Sequence, residues 1–211
     1  STMGLDPFEA TQLSRVDCVR QNFAEQEARH LMLLTRNNAA LPILLDCSIL
    51  PEERSEVVIG SDFPHDQNDL QVGINLQRIK FCMAEGITVV LVHSEALFES
   101  LYDLLNQHYT EYGNQLFVRL AFGSASRLCP IARGFRVVVV VEKTDAYTHL
   151  APPLLNRFEK QVVEWRDMVP DAVASLVPKL RRFVGTLSGQ PEGAPLDQRG
   201  ARRTVCGFDS E

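Results

Sequence analysis

Short apolar runs alternate along the chain with longer segments in which apolar residues recur at helical spacing. The apolar runs lie at residues 31–34, 57–59, 87–92 and 137–141. Strands that alternate with helices predict a parallel sheet with right-handed crossover connections. The run at 137–141 consists of five valines, so a strand formed from it is apolar on both faces. We therefore expect this strand in the sheet interior and the short strand at 57–59 at an edge.

The segments between these runs predict the remaining elements. Gly86 follows the periodic residues 70–83 and is expected to cap that helix. The other predicted elements are helices over 8–29, 39–45, 97–109 and 171–184, a β-hairpin or loop insertion over 115–133, and a weak fifth strand over 161–165.

Three regions follow from this pattern: a helical lead-in at 1–30, an α/β core at 31–184 and a tail at 185–211. The tail is polar, is interrupted by glycine and proline, and has almost no apolar residues. Such a composition buries too little apolar surface to fold, so we predict that the tail is disordered. The arginines of the tail could contact an anionic partner, but the favoured interpretation is a solvated tail without a partner.

Composition narrows the class of protein. The 211 residues are 45% hydrophobic and 23% charged, which is typical of one soluble globular domain. The net charge of -6 argues against a nucleic-acid partner. Five dispersed cysteines without a CxxC or Cys/His cluster predict reduced cytosolic thiols and no structural zinc site. No signal peptide or membrane-spanning stretch is visible, so we expect a cytoplasmic chain without membrane insertion. Because residue 1 is serine, we expect a fragment.

The loop after the first predicted strand lacks the residues that bind nucleotide phosphates. In a phosphate-binding loop, glycines let backbone amides approach the phosphates and a lysine neutralises them. Residues 35–42 read Thr-Arg-Asn-Asn-Ala-Ala-Leu-Pro, without glycine or lysine. The third strand lacks the acidic pair that serves magnesium and the attacking water, because His93 and Ser94 follow it. The two losses together argue against hydrolysis.

Two serine-containing clusters compete as catalytic sites. His93, Ser94 and Glu95 are residue types of nucleophilic catalysis, but neighbours along a strand point to opposite faces. We expect Ser94 to cap the next helix instead. Residues 123–126, Gly-Ser-Ala-Ser, lack the G-x-S-x-G pattern of a nucleophile elbow.

Cys129 is the thiol with positive charges nearby in sequence, Arg127 and Arg133. Such neighbours lower a thiol pKa and raise its reactivity, but an ordinary loop thiol is favoured. One set of residues is a candidate for binding a metal: His65, Asp66 and Asp69. Their spacing fits no known ligand set, so a solvated loop is the favoured interpretation.

Several strings of residues resemble a known family. Residues 154–158, Leu-Leu-Asn-Arg-Phe, resemble the ending of an AAA+ core that carries an arginine toward a neighbouring module's nucleotide. Over roughly residues 5–184 the chain resembles a late, degenerate AAA+ module of the mysterin family, which comprises giant AAA+ RING ubiquitin ligases. The loop strings that carry this resemblance are residues 35–41, 60–67, 99–107 and 141–157.

The resemblance implies a P-loop NTPase-like parallel sheet of about five strands, flanked by helices and carrying a degenerate nucleotide site. It implies a non-hydrolysing structural and interaction module of a large ATP-driven E3 ubiquitin ligase. ATP and magnesium then belong to other modules and zinc to the RING, with no cofactor or metal in this chain. The implied partners are neighbouring AAA+ modules of the same chain, in the cytoplasm and in association with lipid droplets.

Arg157 is the residue to which the resemblance assigns a function, an arginine finger acting in trans. We expect it at the ligand-bearing edge of the sheet. Its structural alternative is an ion pair with Glu159 or Glu164. The polar residues 142–145 at the end of the fourth predicted strand are consistent with a helix cap and a salt-bridge network.

Two other classes of function stay open. The first is a self-sufficient NTPase with an atypical phosphate loop. The second is a small-molecule transferase on a Rossmann-like sheet, which ranks last because the chain has no G-x-G-x-x-G.

Overall fold

The computed structural model describes residues 14–25, 28–61, 68–123, 125–169, 173, 175–191, 197 and 200–201. The chain divides into two compact units, residues 1–164 and 165–211. The strands are β1 (Leu31–Thr35), β2 (Ser55–Ile59), β3 (Thr88–Val92), β4 (Thr110–Tyr112), β5 (Gln115–Phe122), β6 (Ala125–Ile131), β7 (Val137–Glu142) and β8 (Glu159–Val162). The helices are α1 (Arg15–Ala24), α2 (Ala40–Asp46), α3 (Asp69–Glu85), α4 (Tyr102–Leu105), α5 (Lys143–Thr148), α6 (Pro152–Leu155) and α7 (Val177–Leu187).

The first unit contains a five-stranded parallel sheet in the order β2-β3-β7-β1-β8. This α/β architecture with flanking helices confirms the predicted AAA+ fold class. The five valines of β7 are buried in the central strand, as their two-sided apolar run predicts. The position of β2 at an edge is also confirmed.

A second, antiparallel sheet in the order β4-β5-β6 follows α4. The predicted hairpin is therefore present, and its returning strand is β6. Around Arg133 the chain forms a turn instead, in which Gly134 has a φ of +88° and leads into β7.

Three predicted elements differ from the structure. In place of the helix expected over 97–109, a 3₁₀ turn at Glu95–Leu97 is followed by the one-turn helix α4, and the left-handed φ of +55° at Gln107 prevents α4 from continuing to residue 109. The fifth strand begins at Glu159, two residues earlier than expected, because the Glu159 amide donates to the His30 carbonyl and sets the register. The helix expected over 8–29 is described in the structure only over α1.

The second unit contains a 3₁₀ turn at Trp165–Met168 and helix α7. Helix α7 continues three residues past Val184, beyond the position where the tail was expected to begin. Most of the tail lies outside the described residues, so its disorder stays a prediction. None of the described helices has the length and apolar content needed to cross a membrane.

Arg136 joins α1 to the start of β7. Its guanidinium donates to the backbone carbonyls of Asn22 and Glu25 and to the Asn22 side-chain oxygen. It also lies over the Phe23 ring, 5.6 Å from the ring centroid. A buried guanidinium is stable only when its donors are satisfied, so these contacts hold the end of α1 against the sheet.

Candidate functional site

The loop between β1 and α2 occupies the position of a phosphate-binding loop. Thr35 ends β1, and its buried hydroxyl oxygen accepts a hydrogen bond from the Ala40 amide at 3.0 Å. The Ala39 amide donates to the Arg36 carbonyl at 3.1 Å. Two amides that a phosphate loop would aim at its ligand are therefore bonded to protein oxygens.

Asn37 and Asn38 have φ angles of +54° and +55° in this loop. Asparagine enters the left-handed region more readily than other residues with a Cβ, so it replaces the glycine that such a turn usually requires. The backbone amide of Asn38 donates a hydrogen bond to Oε1 of Glu142 at 2.7 Å. Glu142 is the last residue of β7 and pairs in register with Thr35. A protein carboxylate thus accepts the hydrogen bond of this loop amide.

Arg36 is the one positive charge in the loop at residues 35–42. Its Nε lies 3.6 Å from Oε1 of Glu164, and Nη1 of Arg15 lies 3.7 Å from Oε2 of the same carboxylate. Glu164 is buried while both arginines are largely exposed. The loop arginine is therefore directed to an internal acid.

The end of β3 carries no acidic pair. Ser94 is buried, and its hydroxyl lies 2.9 Å from the Val92 carbonyl oxygen and 3.1 Å from that of Val58. Ser94 occupies the N-cap position of the 3₁₀ turn Glu95–Leu97, as expected, but its hydroxyl donates to strand carbonyls and makes no cap hydrogen bond. A cavity of about 600 Å³ lies here, lined by Glu95 and His93 among others.

Gly60 is required where β2 and β3 end side by side. Its amide donates to the Val92 carbonyl at 2.7 Å. A Cβ on Gly60 would lie 1.6 Å from the His93 carbonyl oxygen, far inside any tolerated contact. The glycine therefore allows two backbones to approach at this edge.

Cys129 is a buried thiol on β6, not a loop thiol. Burial raises its pKa, and this outweighs the opposite effects of Lys80 and Arg127. Arg127 acts in the direction that the hypothesis gave, but the hypothesis of a lowered pKa is wrong, because the loss of solvation has the larger effect.

The other candidates that the structure describes belong to separate elements. Asp69 is the first residue of α3, and residues 142–145 contribute Glu142 to the loop contact and open α5. Among the described residues, no group of three histidine, cysteine or acidic side chains is placed to hold a metal ion. The candidates that lie outside the described residues are His65, Asp66 and Ser124.

Arg157 lies at the amino ends of the parallel strands, whereas the loop at residues 35–42 lies at their carboxyl ends. It precedes β8, whose first residue, Glu159, pairs with Leu31 at the start of β1. The expectation that Arg157 lies at the ligand-bearing edge is wrong, because the crossover through α5 and α6 returns the chain to the amino ends of the strands. Arg157 and the Asn38–Glu142 contact do not form one site.

The Arg157 guanidinium stacks on an aromatic ring. Its Cζ lies 3.9 Å from the centroid of Tyr102. The two acids considered as ion-pair partners have other contacts: Glu159 accepts a hydrogen bond from the Asn22 amide group at 2.5 Å, and Glu164 pairs with the loop arginine. Stacking orients the guanidinium and leaves its in-plane donors for another acceptor.

Sequence reasoning missed His30, which is buried just before β1. Its Nδ1 accepts a hydrogen bond from the Val137 amide at 3.2 Å, which places the proton on Nε2, 3.2 Å from the Leu104 carbonyl oxygen. Burial lowers the His30 pKa to about 4. A single histidine beside an apolar run gives no signal of this role.

Comparisons with known proteins agree with the fold. A family model described as "RNF213 AAA domain" matches residues 20–169. The chain is 37% identical over 160 residues to E3 ubiquitin-protein ligase RNF213 of Homo sapiens, covering 76% of this chain and 3% of that protein. The Mus musculus protein of the same name is 34% identical over 183 residues, covering 82% and 4%. The rnf213-beta ligase of Danio rerio is 43% identical over 144 residues, covering 66% and 3%.

Proposed function

The chain belongs to the RNF213 AAA domain family, the mysterin type that its loops resemble, and from that premise we propose that it is a non-hydrolysing AAA+ module. In this proposal it is a structural and interaction part of a large ATP-driven E3 ubiquitin ligase. The observation that carries the proposal is the contact between the Asn38 amide and the Glu142 carboxylate. The relatives are named as E3 ubiquitin-protein ligases, and the chain spans about 3–4% of their length.

Electrostatics explains why the carboxylate disfavours a nucleotide. Two like unit charges 4 Å apart repel by about 4 kcal/mol at an effective dielectric constant of 20. A phosphate that approached the Asn38 amide would meet Glu142 at such a distance. The loop has no lysine to offset this repulsion and no glycine to admit the phosphate.

The proposal assigns ATP and magnesium to other modules of the parent protein and zinc to its RING domain. This chain holds none of them, and its partners are the neighbouring AAA+ modules of the same polypeptide. The resemblance supports a cytoplasmic location with an association to lipid droplets.

Ligand-dependent stability tests the nucleotide-free state. A ligand at 100 times its dissociation constant stabilises a folded protein by about 2.7 kcal/mol. We expect millimolar ATP with magnesium to leave the melting temperature of the chain unchanged and phosphate release at the blank level. A clear upward shift, or phosphate release that Lys143→Ala abolishes, contradicts the proposal and favours the self-sufficient NTPase.

We also propose that Arg157 acts in trans on a nucleotide held by another module. Its guanidinium is oriented by Tyr102, and it lies at the amino ends of the strands, away from the loop at residues 35–42. An arginine supplied across an interface accelerates phosphoryl transfer by about 10³- to 10⁵-fold.

Turnover of the full-length protein tests this role. We expect Arg157→Ala to reduce the ATPase rate strongly while the melting temperature stays nearly constant. Arg157→Lys, which keeps the charge but loses the forked donors, is the matched control and is expected to restore only part of the rate. Unchanged turnover in Arg157→Ala would limit Arg157 to its stacking contact with Tyr102.

A further inference from the structure

Helix α3 is fixed at both ends by its own sequence. The Asn68 side chain accepts a hydrogen bond from the Gln71 amide at 2.8 Å, which caps the amino end. Gly86 has a φ of +70°, and its amide donates to the Cys82 carbonyl, which caps the carboxyl end. The 17-residue length of α3 is therefore set locally.

Two faces of α3 are apolar. The inner face packs into the core of the first unit through Leu76, Ile79 and Met83, which are buried. The outer face exposes 74% of Leu70, 46% of Ile74 and 62% of Phe81. At 100° per residue, the side chains of Leu70, Ile74 and Phe81 fall within about 40° of one another around the helix axis, and they span about 16 Å along it. A helix that is apolar on opposite faces is normally covered on both.

Gly73 lies beside this outer row, and the fold around it gives no reason for a glycine. Among the described residues, no atom lies within 4 Å of the position that its Cβ would take, so none of them excludes a side chain. Glycine also destabilises a helix interior relative to alanine. A glycine next to exposed apolar side chains allows another backbone to approach closely. Such an approach explains both the exposed apolar row and the glycine in the helix interior.

We propose that the α3 outer row, defined as Leu70, Gly73, Ile74 and Phe81, is the docking surface for an apolar helix from another segment of the same polypeptide. The four residues of the row bear no charge, and the exposed Glu85 lies one turn beyond Phe81 at the end of the row. Depletion of charge at the centre of a contact is typical of protein interfaces. The chain covers about 3–4% of its relatives' length, so most of such a polypeptide lies outside this module. Covalent linkage raises the effective concentration of that segment to the millimolar range. The inference rests on the proposed place of this module in a longer polypeptide, and it is independent of the nucleotide state of the module.

Site-specific photo-crosslinking in the full-length protein tests the occupant. Phe81 is replaced by p-benzoylphenylalanine, with the same replacement at Glu53, an exposed polar position in the 3₁₀ turn Glu52–Arg54, as the matched control. We expect a cross-link from position 81 to a helical peptide of the same chain, without a change in apparent mass. A product of doubled mass, cross-links to other proteins alone, or a yield no higher than at position 53 overturns the proposal.

A substitution at Gly73 tests the close approach independently. Gly73→Leu fills open space in the 211-residue chain, so we expect its melting temperature to be unchanged or raised. In the full-length protein the same change is expected to abolish most of the cross-link from position 81. An undiminished yield contradicts docking at this glycine.

Discussion

Asn38 has a φ of +55°, which few residues with a side chain tolerate. We predict that Asn38→Gly changes the free energy of unfolding by less than about 0.5 kcal/mol, because glycine adopts this conformation freely. Asn38→Val is expected to lower it by about 1–2 kcal/mol, because a β-branched side chain clashes in the left-handed region. Urea unfolding of the two variants measures the difference. Equal stabilities would show that the loop changes its conformation on substitution.

His30 makes stability depend on pH. Its pKa is about 4 in the folded chain against an ordinary value of 6.5, mainly because of burial and, to a lesser extent, the charge of Arg136. Between those values the unfolded state binds more protons, so the free energy of unfolding falls as pH drops from 6.5 toward 4. The slope contributed is at most about 1.4 kcal/mol per pH unit, and the full stability is present above pH 6.5.

The matched variant for this prediction is His30→Asn, whose side-chain oxygen can accept the Val137 amide without titrating in this range. We expect its unfolding free energy to fall less steeply between pH 6.5 and 4.5 than that of the parent chain. Parallel slopes in urea unfolding would assign the acid sensitivity to carboxylates instead.

Individual residues show what sequence reasoning can and cannot reach. The absence of glycine and lysine from residues 35–42 is visible in the sequence and predicts the altered loop. The partner of the Asn38 amide is not visible, because Glu142 lies 104 residues away and meets it only through the pairing of β1 with β7. The end of the sheet at which Arg157 lies depends on where the crossover from β7 to β8 ends, which local patterns do not determine.

At the scale of elements, two glycines with opposite surroundings provide a matched pair. We predict that Gly60→Ala destabilises the chain by more than about 3 kcal/mol or prevents folding, because its Cβ would collide with the His93 carbonyl. Gly73→Ala is expected to stabilise the chain by about 0.4–1 kcal/mol, because it adds helix propensity in open space. Thermal and urea unfolding of both variants test this, and a destabilised Gly73→Ala would mean that the surroundings of this glycine are not open.

The elements predicted best are those whose patterns are longest or most apolar. β7 follows directly from a valine run, and α3 follows from the periodic residues 70–83 with Gly86 as the cap. The helix expected over 97–109 was wrong because its leucines are buried by two successive short turns, whose spacing is the same as that of one helix. Tertiary packing therefore decided between two backbones that the sequence pattern does not distinguish.

At the scale of the whole molecule, the division after Glu164 leads to a truncation prediction. Residues 1–164 contain all five strands of the parallel sheet and the antiparallel sheet. We expect a chain that ends at Glu164 to unfold cooperatively, with the far-ultraviolet dichroism of a mixed α/β protein. A chain that ends at Asp145, and so lacks β8, is the control and is expected to be unfolded or aggregated. Loss of cooperativity in the longer truncation would place essential core contributions in residues 165–211.

The pairing of β1 with β7 also has a consequence for synthesis on the ribosome. The contact between His30 and Val137 at the start of this pair spans 107 residues. At a translation rate of about 5–20 residues per second, β1 emerges roughly 5–20 s before its central partner exists. During that interval a strand with four apolar residues out of five has both of its edges unpaired, and such long-range parallel pairing forms slowly. The β1 segment is therefore where nascent chains of this family are expected to depend most on chaperones.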